Sequence, residues 1–319
     1  MTKQSQNIWI LGGTGFIGSA LVKLLSHDKA NRLHLLVHKR APWQLLEGFN
    51  TITGTISNIE PGWFERYPPD IVYHLARPAG SNAVTRKLRS AGGERANRRL
   101  VKIFSELPAP PVVVYVSGSL MYGDRPAGDP ALENSTLNPA SFARYYYRNE
   151  LPWIGAQSEG SLDIRFARPG WIAGPGSWFM EFFFKPWLRT GRVPCYGDGL
   201  QHMSMTDLDD CAAMIHALGQ HGSKGSNLNI FSGDIITQRD FSNTLARMLN
   251  AETEMIPENR LRRNYGKVTA AALLSSSPMG TLYPELHCRA GIIYRGPEQL
   301  LVPVVRLLEN KQGVFAELP

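Results

Sequence analysis

Seven residues near the N-terminus, Gly12-Gly13-Thr14-Gly15-Phe16-Ile17-Gly18, have the types and spacing needed to bind a pyrophosphate. Glycine lacks a Cβ, so it can adopt positive φ and lets an anion approach the backbone closely. The backbone amides after Gly15 would point at that anion, with the positive end of a helix dipole behind them. An ordinary strand-to-helix turn is the alternative, but the place of these glycines between an apolar strand and an apolar helix favours a dinucleotide cofactor.

Basic residues follow the second predicted strand, residues 33–37, where such a fold meets the adenosine ribose. His38, Lys39 and Arg40 stand where an acidic residue would bind the ribose 2′-hydroxyl and repel a 2′-phosphate. Two permanent cations and no acid predict NADP(H) as the cofactor in preference to NAD(H). An exposed basic loop is the alternative.

The elements that position these residues are predicted strands alternating with helices. Apolar runs predict strands at residues 7–11, 33–37, 51–54, 70–76, 111–117 and 162–167, and helices at 19–25, at 94–106 and through 145–147. The alternation predicts an α/β fold with a doubly wound parallel sheet, whose ligands bind beyond the carboxyl ends of the strands. Those ends carry the glycine turn, residues 38–40, Ala76-Arg77 and residues 117–119, so we expect them to line one crevice.

Composition and charge narrow the function classes. The 319 residues are 43% hydrophobic, which suits one or two domains, and no apolar run is long enough to cross a bilayer. The polar residues 1–7 lack the apolar segment of a signal peptide. The three cysteines are widely spaced and form neither a disulfide framework nor a zinc motif. We therefore expect a cytoplasmic protein.

The net charge of +7 owes much to a run of basic residues between 86 and 99. We interpret this run as a solvated helix face; a site for an anionic ligand is the second interpretation. Nucleic acid is not expected, because no RNA-binding aromatic motif accompanies the run.

Several further motifs, in this order along the chain, resemble those of the extended short-chain dehydrogenase/reductase family, the NAD(P)-dependent epimerases and dehydratases. After the glycine turn, the similar stretches are 74–77 ("HLAA"), Asn97 (a helix asparagine), 115–123 ("YVSSxxVYG"), 168–176 ("RPGxxxGPG"), 196–210 ("YGDG…VDD") and 229–237 ("NxxSGxxxT"). Each motif alone is weakly specific, but the ordered set covers roughly residues 7–250.

The resemblance implies a Rossmann-type domain over residues 1–170, completed by about 204–235. It implies a smaller, discontinuous C-terminal substrate domain over 171–203 and 236–319, and a homodimer formed through a helical face. With the arguments above, it gives these cofactor-binding candidates: Gly12, Gly15, Phe16, Ile17, Gly18, His38, Lys39, Arg40, Leu75, Ala76, Arg77, Asn97 and Pro169.

The catalytic positions depart from the family pattern. Family members use a Tyr-x-x-x-Lys pair, in which the tyrosine exchanges a proton with the substrate oxygen and the lysine lowers the tyrosine pKa. A nearby Ser or Thr hydrogen-bonds the same oxygen. No such pair occurs near residue 145: counted without a gap, the tyrosine falls at Ala143, the lysine at Tyr147 and the Ser/Thr position at Gly118.

Tyr145, or a neighbouring tyrosine, is therefore our candidate proton donor. Arg148 follows three residues later and could share its helix face, supplying the positive charge that makes a tyrosine a competent base near neutral pH. Arg144 and Arg77 are other candidates for that charge. The candidates for hydrogen bonding the substrate oxygen are Ser117, Ser119 and Tyr122. The alternative is that the tyrosines serve packing and the pair is lost.

The substrate is expected to be small and apolar or aromatic. Met203 stands where nucleotide-sugar members of the family carry an arginine for the substrate diphosphate, and a thioether cannot pair with a phosphate. The aromatic stretch 178–187 forms core, a dimer face or the wall of an apolar pocket. We expect an NADP(H)-dependent reductase or dehydrogenase. The alternatives are a cofactor-binding sensor or assembly subunit without redox turnover, and a non-redox cyclisation or isomerisation in the same pocket.

Overall fold

The computed structural model describes residues 5–38, 48–77, 83–126 and 128–316. Its strands are β1 (Gln6–Leu11), β2 (Asn31–Val37), β3 (Asn50–Thr53), β4 (Ile71–His74), β5 (Val112–Val116), β6 (Asp163–Pro169), β7 (Trp171–Ala173), β8 (Arg192–Tyr196), β9 (His202–Met203), β10 (Met205–Asp207), β11 (Asn227–Ile230), β12 (Ile236–Thr237) and β13 (Glu252–Ile256).

Its helices are α1 (Phe16–Ser26), α2 (Pro61–Arg66), α3 (Ala83–Glu106), α4 (Arg144–Ser158), α5 (Lys185–Thr190), α6 (Leu208–His221), α7 (Gln238–Met248), α8 (Glu258–Leu273), α9 (Pro284–Arg289) and α10 (Pro297–Ala316). A 3-10 turn covers Ser119–Tyr122, and a π-helical turn covers Met180–Phe184. Within the described ranges, no helix is long and apolar enough to span a membrane.

A parallel sheet forms the centre of the fold. Over the residues that the structure describes it has seven strands, in the order β11-β6-β5-β4-β1-β2-β3. Helices cover both faces of the sheet, and a central strand such as β5 is accordingly apolar throughout. In β1, Ile8 and Ile10 join one core cluster, which contains α1 and α6, whereas Trp9 and Leu11 join a second, which contains residues of α2, α3 and α4. The predicted doubly wound α/β fold is confirmed.

A further hydrophobic cluster lies apart from the sheet. It is built from residues of β8, α7, α8 and α10 and from the aromatic stretch that precedes α5. Phe179, Phe183 and Phe184 are fully buried there, so most of this stretch is core. The boundaries assigned to the two domains remain predictions.

The predicted elements differ from the observed ones mainly at α3. This helix begins at Ala83, eleven residues before the predicted start at Glu94. The prediction started the helix after Gly92 and Gly93, but the helix continues through both glycines. Arg95, Arg98 and Arg99 lie on its exposed surface, so this part of the basic run is the solvated helix face that we expected.

Candidate active site

The glycine turn between β1 and α1 leaves an open backbone concavity, which Cβ atoms at the glycine positions would fill. Gly12 has φ +97°, and a Cβ on it would lie 2.8 Å from the backbone nitrogen of Ala76. A Cβ on Gly18 would lie 2.1 Å from the Gly12 carbonyl oxygen. The Gly15 N–H donates to that carbonyl at 3.0 Å, and α1 begins directly afterwards. The concavity therefore fits a pyrophosphate at the N-terminus of α1.

A cleft of about 780 Å³ opens beside this turn; we call it the cofactor cleft. Its walls come from the residues that follow β1, β2, β3 and β4 and from α3. The sequence-predicted cofactor residues that line it are Gly12, Gly15, His38, Leu75, Ala76 and Arg77. Lys39 and Arg40 lie outside the described residues. Three of the four predicted strand ends thus meet at this cleft.

The fourth strand end lines a separate space. A second cavity of about 270 Å³, the inner cavity, lies beyond β5 and β6 and includes Ser117, Gly118 and Ser119. Arg77 lies in the walls of both spaces. We expected one crevice, whereas the structure has two adjoining spaces that share this arginine.

The walls of the inner cavity are mostly apolar. Trp171 and Trp178 line it together with Ile172, and their ring centroids lie 4.4 Å apart at an interplanar angle of 71°. Ile17 and Pro169, which the sequence assigned to the cofactor, also belong to this lining.

The other cofactor candidates occupy supporting positions. Phe16 packs against the backbone near Gly174: a Cβ there would lie 3.1 Å from the Phe16 Cζ atom. The Asn97 Oδ1 atom lies 2.8 Å from the His74 Nε2 atom, and the Asn97 Nδ2 atom donates to the Asn149 carbonyl at 2.8 Å. Burial lowers the pKa of His74 to about 4, so this histidine is neutral and ties β4 to α3 and α4.

A buried charge pair joins Glu150 of the inner-cavity lining to Arg168 behind it. The Arg168 Nη1 atom donates to the Ser117 hydroxyl at 2.8 Å and to the Glu150 Oε2 atom at 3.1 Å. The Ser117 hydroxyl donates to the other oxygen of Glu150. The three residues are at most 3% exposed. Ser117 therefore lines the inner cavity, but its proton is directed to Glu150 and not to the space that a substrate would occupy.

The three tyrosines of α4 have different surroundings. Tyr146 lines the inner cavity, and the Arg77 guanidinium carbon lies 5.9 Å from its ring centroid. Tyr147 packs against the cluster formed by Met121, Phe142 and Ala143. Tyr145, the first choice from the sequence, is not part of the cavity lining.

Arg148 and Tyr122 also differ from their expected roles. The Arg148 Nε atom donates to Glu94 of α3, outside the cavity lining, so its charge is already paired. The Tyr122 hydroxyl donates to the Asn229 Oδ1 atom at 2.7 Å, and burial raises the pKa of this tyrosine. Ser119 lines the inner cavity, and its hydroxyl has no side-chain partner among the described residues. Its role at the substrate oxygen stays a prediction.

A family model supports the resemblance that the motifs indicated. The model of the NAD dependent epimerase/dehydratase family matches residues 8–231 of the 319. The chain belongs to this family. No curated protein sequence matches the chain.

Solved structures of low sequence identity share the fold of this chain. A dTDP-glucose 4,6-dehydratase from Bacillus anthracis, in complex with NAD, is 16% identical with a TM-score of 0.74, over 96% of this chain and 97% of that one. A human epimerase family protein with NADPH is 19% identical with a TM-score of 0.73, over 94% and 99% of the two chains. A UDP-N-acetylglucosamine 4-epimerase from Methanobrevibacter ruminantium, in complex with UDP-N-acetylmuramic acid, is 18% identical with a TM-score of 0.75, over 97% and 100%.

Several residues of this site were missed by sequence reasoning. Glu150 and Asn149 lie in the inner-cavity lining, but nothing in their local pattern distinguishes them from other polar helix residues. Arg168 was quoted only as part of a motif, although a lone arginine at the end of a buried strand requires a buried partner. That requirement is the signal that could have led to Glu150.

Proposed function

We propose that this epimerase/dehydratase family member is an NADP(H)-dependent reductase of a small, apolar or aromatic carbonyl or imine compound. The observation that carries the proposal is the position of Arg77, which lies in the walls of both the cofactor cleft and an apolar cavity that Tyr146 also lines. A cofactor and a small substrate would meet there.

The preference for NADP(H) rests on the end of β2. His38 lines the cofactor cleft, and the next two residues in the sequence are Lys39 and Arg40. No acidic residue stands at this position to repel a 2′-phosphate.

The preference for a small substrate rests on the inner cavity. A volume of about 270 Å³ with two indoles in its wall suits a single-ring compound. Met203, at the position of the family's diphosphate-binding arginine, is 1% exposed and belongs to the hydrophobic cluster around β8. It offers no contact to a nucleotide sugar.

The residues of the inner cavity supply a route for the proton. NADPH, when bound, provides a hydride from the nicotinamide C4 to the carbonyl or imine carbon. The Tyr146 hydroxyl donates its proton to the oxygen or nitrogen of that group, which completes the reduction to an alcohol or amine. Ser119 hydrogen-bonds the same atom in place of Ser117, whose proton is held by Glu150.

One observation favours a second candidate, a cofactor-binding protein without redox turnover or with a non-redox reaction. No lysine is part of the inner-cavity lining, so the family's usual partner of the catalytic tyrosine is absent from that set of residues. Turnover separates the candidates. Oxidation of NADPH by at least one member of a panel of aromatic ketones and imines supports reduction, whereas tight binding with no oxidation supports the second candidate.

Cofactor binding itself is tested at the glycine turn. We expect Gly12→Ala to weaken NADPH binding by about tenfold or more. A positive φ destabilises a residue that has a Cβ by about 1–2 kcal/mol. The added Cβ would also clash with the backbone of Ala76. Fluorescence titration with NADPH and NADH measures the affinities.

Gly62→Ala is the matched control, since nothing lies within 4 Å of a Cβ there. Unchanged NADPH affinity in Gly12→Ala would contradict the assignment of the cleft, and equal affinities of the wild type for NADH and NADPH would contradict the NADP(H) preference.

A further inference from the structure

Arg77 carries a positive charge that no described carboxylate pairs with. It follows Ala76 at the end of β4, and none of the ion pairs among the described residues includes it. The acidic residues of the neighbouring helices are already engaged: Glu150 with Arg168, and Glu94 with Arg148. Residues 78–82, the segment that follows in the sequence, contain neither Asp nor Glu.

The guanidinium of Arg77 lies over the backbone that follows β5. Its Nη2 atom donates to the Val116 carbonyl at 3.3 Å and lies 3.8 Å from the point where a Cβ on Gly118 would stand. Gly118 is the position at which the family resemblance places the Ser or Thr that bonds the substrate oxygen. A charged guanidinium therefore lies beside the place of that neutral hydroxyl, with the Tyr146 ring 5.9 Å away.

We propose that Arg77 binds a carboxylate of the substrate, so that the inner cavity accepts a small aromatic or apolar carboxylic acid. The inference rests on the proposed function only in placing the reacting group of this acid beside Tyr146. The guanidinium is a planar fork of five N–H donors, and the one on Val116 leaves others to pair with both oxygens of a carboxylate.

The surroundings suit the apolar body of such an acid. Trp171, Ile172 and Trp178 form an apolar wall on one side of the cavity, whereas the Arg77 side chain is exposed and can meet the charged end of the ligand. The charge of Glu150 is balanced by Arg168 behind it, so Arg77 leaves the cavity with a net positive charge. An anionic group is the complement of that charge.

Benzoate and benzamide test the proposal, because they have nearly the same shape and differ in charge. Each is titrated into the full-length protein, with and without saturating NADP⁺, and binding is followed by tryptophan fluorescence and calorimetry. We expect the wild type to bind benzoate about tenfold or more tightly than benzamide, because a hydrogen bond between two charged groups is stronger than one to a neutral amide.

Two substitutions at Arg77 and one elsewhere make the test specific. Arg77→Gln should bind benzoate and benzamide equally, whereas Arg77→Lys should keep the preference for benzoate at lower affinity. Arg148→Gln removes a charge that is paired with Glu94 outside the cavity lining, and it should keep the full preference.

Two results would overturn the proposal. One is equal binding of benzoate and benzamide by the wild type. The other is an Arg77→Gln variant that binds benzoate as before but has lost NADPH affinity, which would assign Arg77 to the cofactor pyrophosphate. A wild type that binds no NADPH but still prefers benzoate through Arg77 would refute the proposed reductase and support the carboxylate site.

Discussion

Arg168 contributes to the site through its buried partners. With Glu150 it forms an ion pair whose side chains are each 2% exposed, and both contact the Ser117 hydroxyl. Removing one member of such a pair leaves an uncompensated charge away from water. The pair therefore fixes the position of the strand end that carries Ser117, Gly118 and Ser119.

We expect Arg168→Met to lower the free energy of unfolding by about 3–5 kcal/mol, because Glu150 is left buried without its cation. Urea denaturation measures the change. The matched control is Arg148→Met, which breaks the more exposed pair with Glu94 and should cost less than about 1 kcal/mol. Similar costs for the two variants would show that the Arg168 pair does not support the site.

His74 links the stability of the site to pH. Its pKa is about 4 in the fold, against about 6.5 for an unfolded histidine. The unfolded chain therefore binds the proton more readily, and stability is lost as the pH falls from about 6.5 towards 4.

We expect the wild type to lose roughly 2 kcal/mol more of its free energy of unfolding between pH 7 and pH 5 than His74→Gln does. Urea denaturation at the two pH values measures the difference. His27→Gln changes an exposed histidine and should behave as the wild type. Equal losses in the wild type and in His74→Gln would rule out this source of acid sensitivity.

At the scale of elements, α8 joins two parts of the fold. Its first half packs through Leu261 and Tyr265 against the cluster around β8. Its second half contributes Ala270 and Leu273 to the same cluster. It also packs through Val268 and Ala272 against the cluster that contains Leu120 and Met121 of the inner-cavity wall. The halves are separated by Gly266, whose φ of 80° and ψ of 165° are not helical.

We expect Gly266→Ala to lower the free energy of unfolding by about 1–3 kcal/mol, because only glycine adopts this backbone conformation without strain. Thermal or urea denaturation measures the change. Gly155→Ala, in the middle of α4 with open space around its Cβ position, should be neutral or stabilising. A Gly266→Ala variant as stable as the wild type would mean that the kink is not required.

The sequence predicted the sheet better than the site. Strands such as β5 are continuous apolar runs, and the glycine turn has a local pattern, so both are visible in a few adjacent residues. The choice among Tyr145, Tyr146 and Tyr147 depends on the rotation of α4 about its axis, since adjacent helix residues point about 100° apart. The contact between Glu150 and Arg168 joins different elements, and no local pattern encodes it.

At the scale of the whole molecule, the cofactor cleft and the inner cavity adjoin at Arg77. Residues at the ends of β1 to β4 and in α3 line the cofactor cleft. Residues at the ends of β5 and β6, in β7 and in α4 line the inner cavity together with Trp178, and Arg77 belongs to both linings. A reductase needs such an arrangement, because hydride and proton must reach adjacent atoms of one substrate. In the proposed reduction, Tyr146 is the proton donor.

The most direct test compares Tyr146→Phe with Tyr145→Phe, neighbouring substitutions that each remove a single hydroxyl. NADPH affinity is measured by fluorescence, and NADPH oxidation is measured with an aromatic ketone or imine that the wild type reduces. We expect both variants to bind NADPH as the wild type does, and only Tyr146→Phe to lose oxidation, by about 100-fold or more. Full activity in Tyr146→Phe, or an equal loss in both variants, would contradict the proposal that Tyr146 donates the proton in the inner cavity.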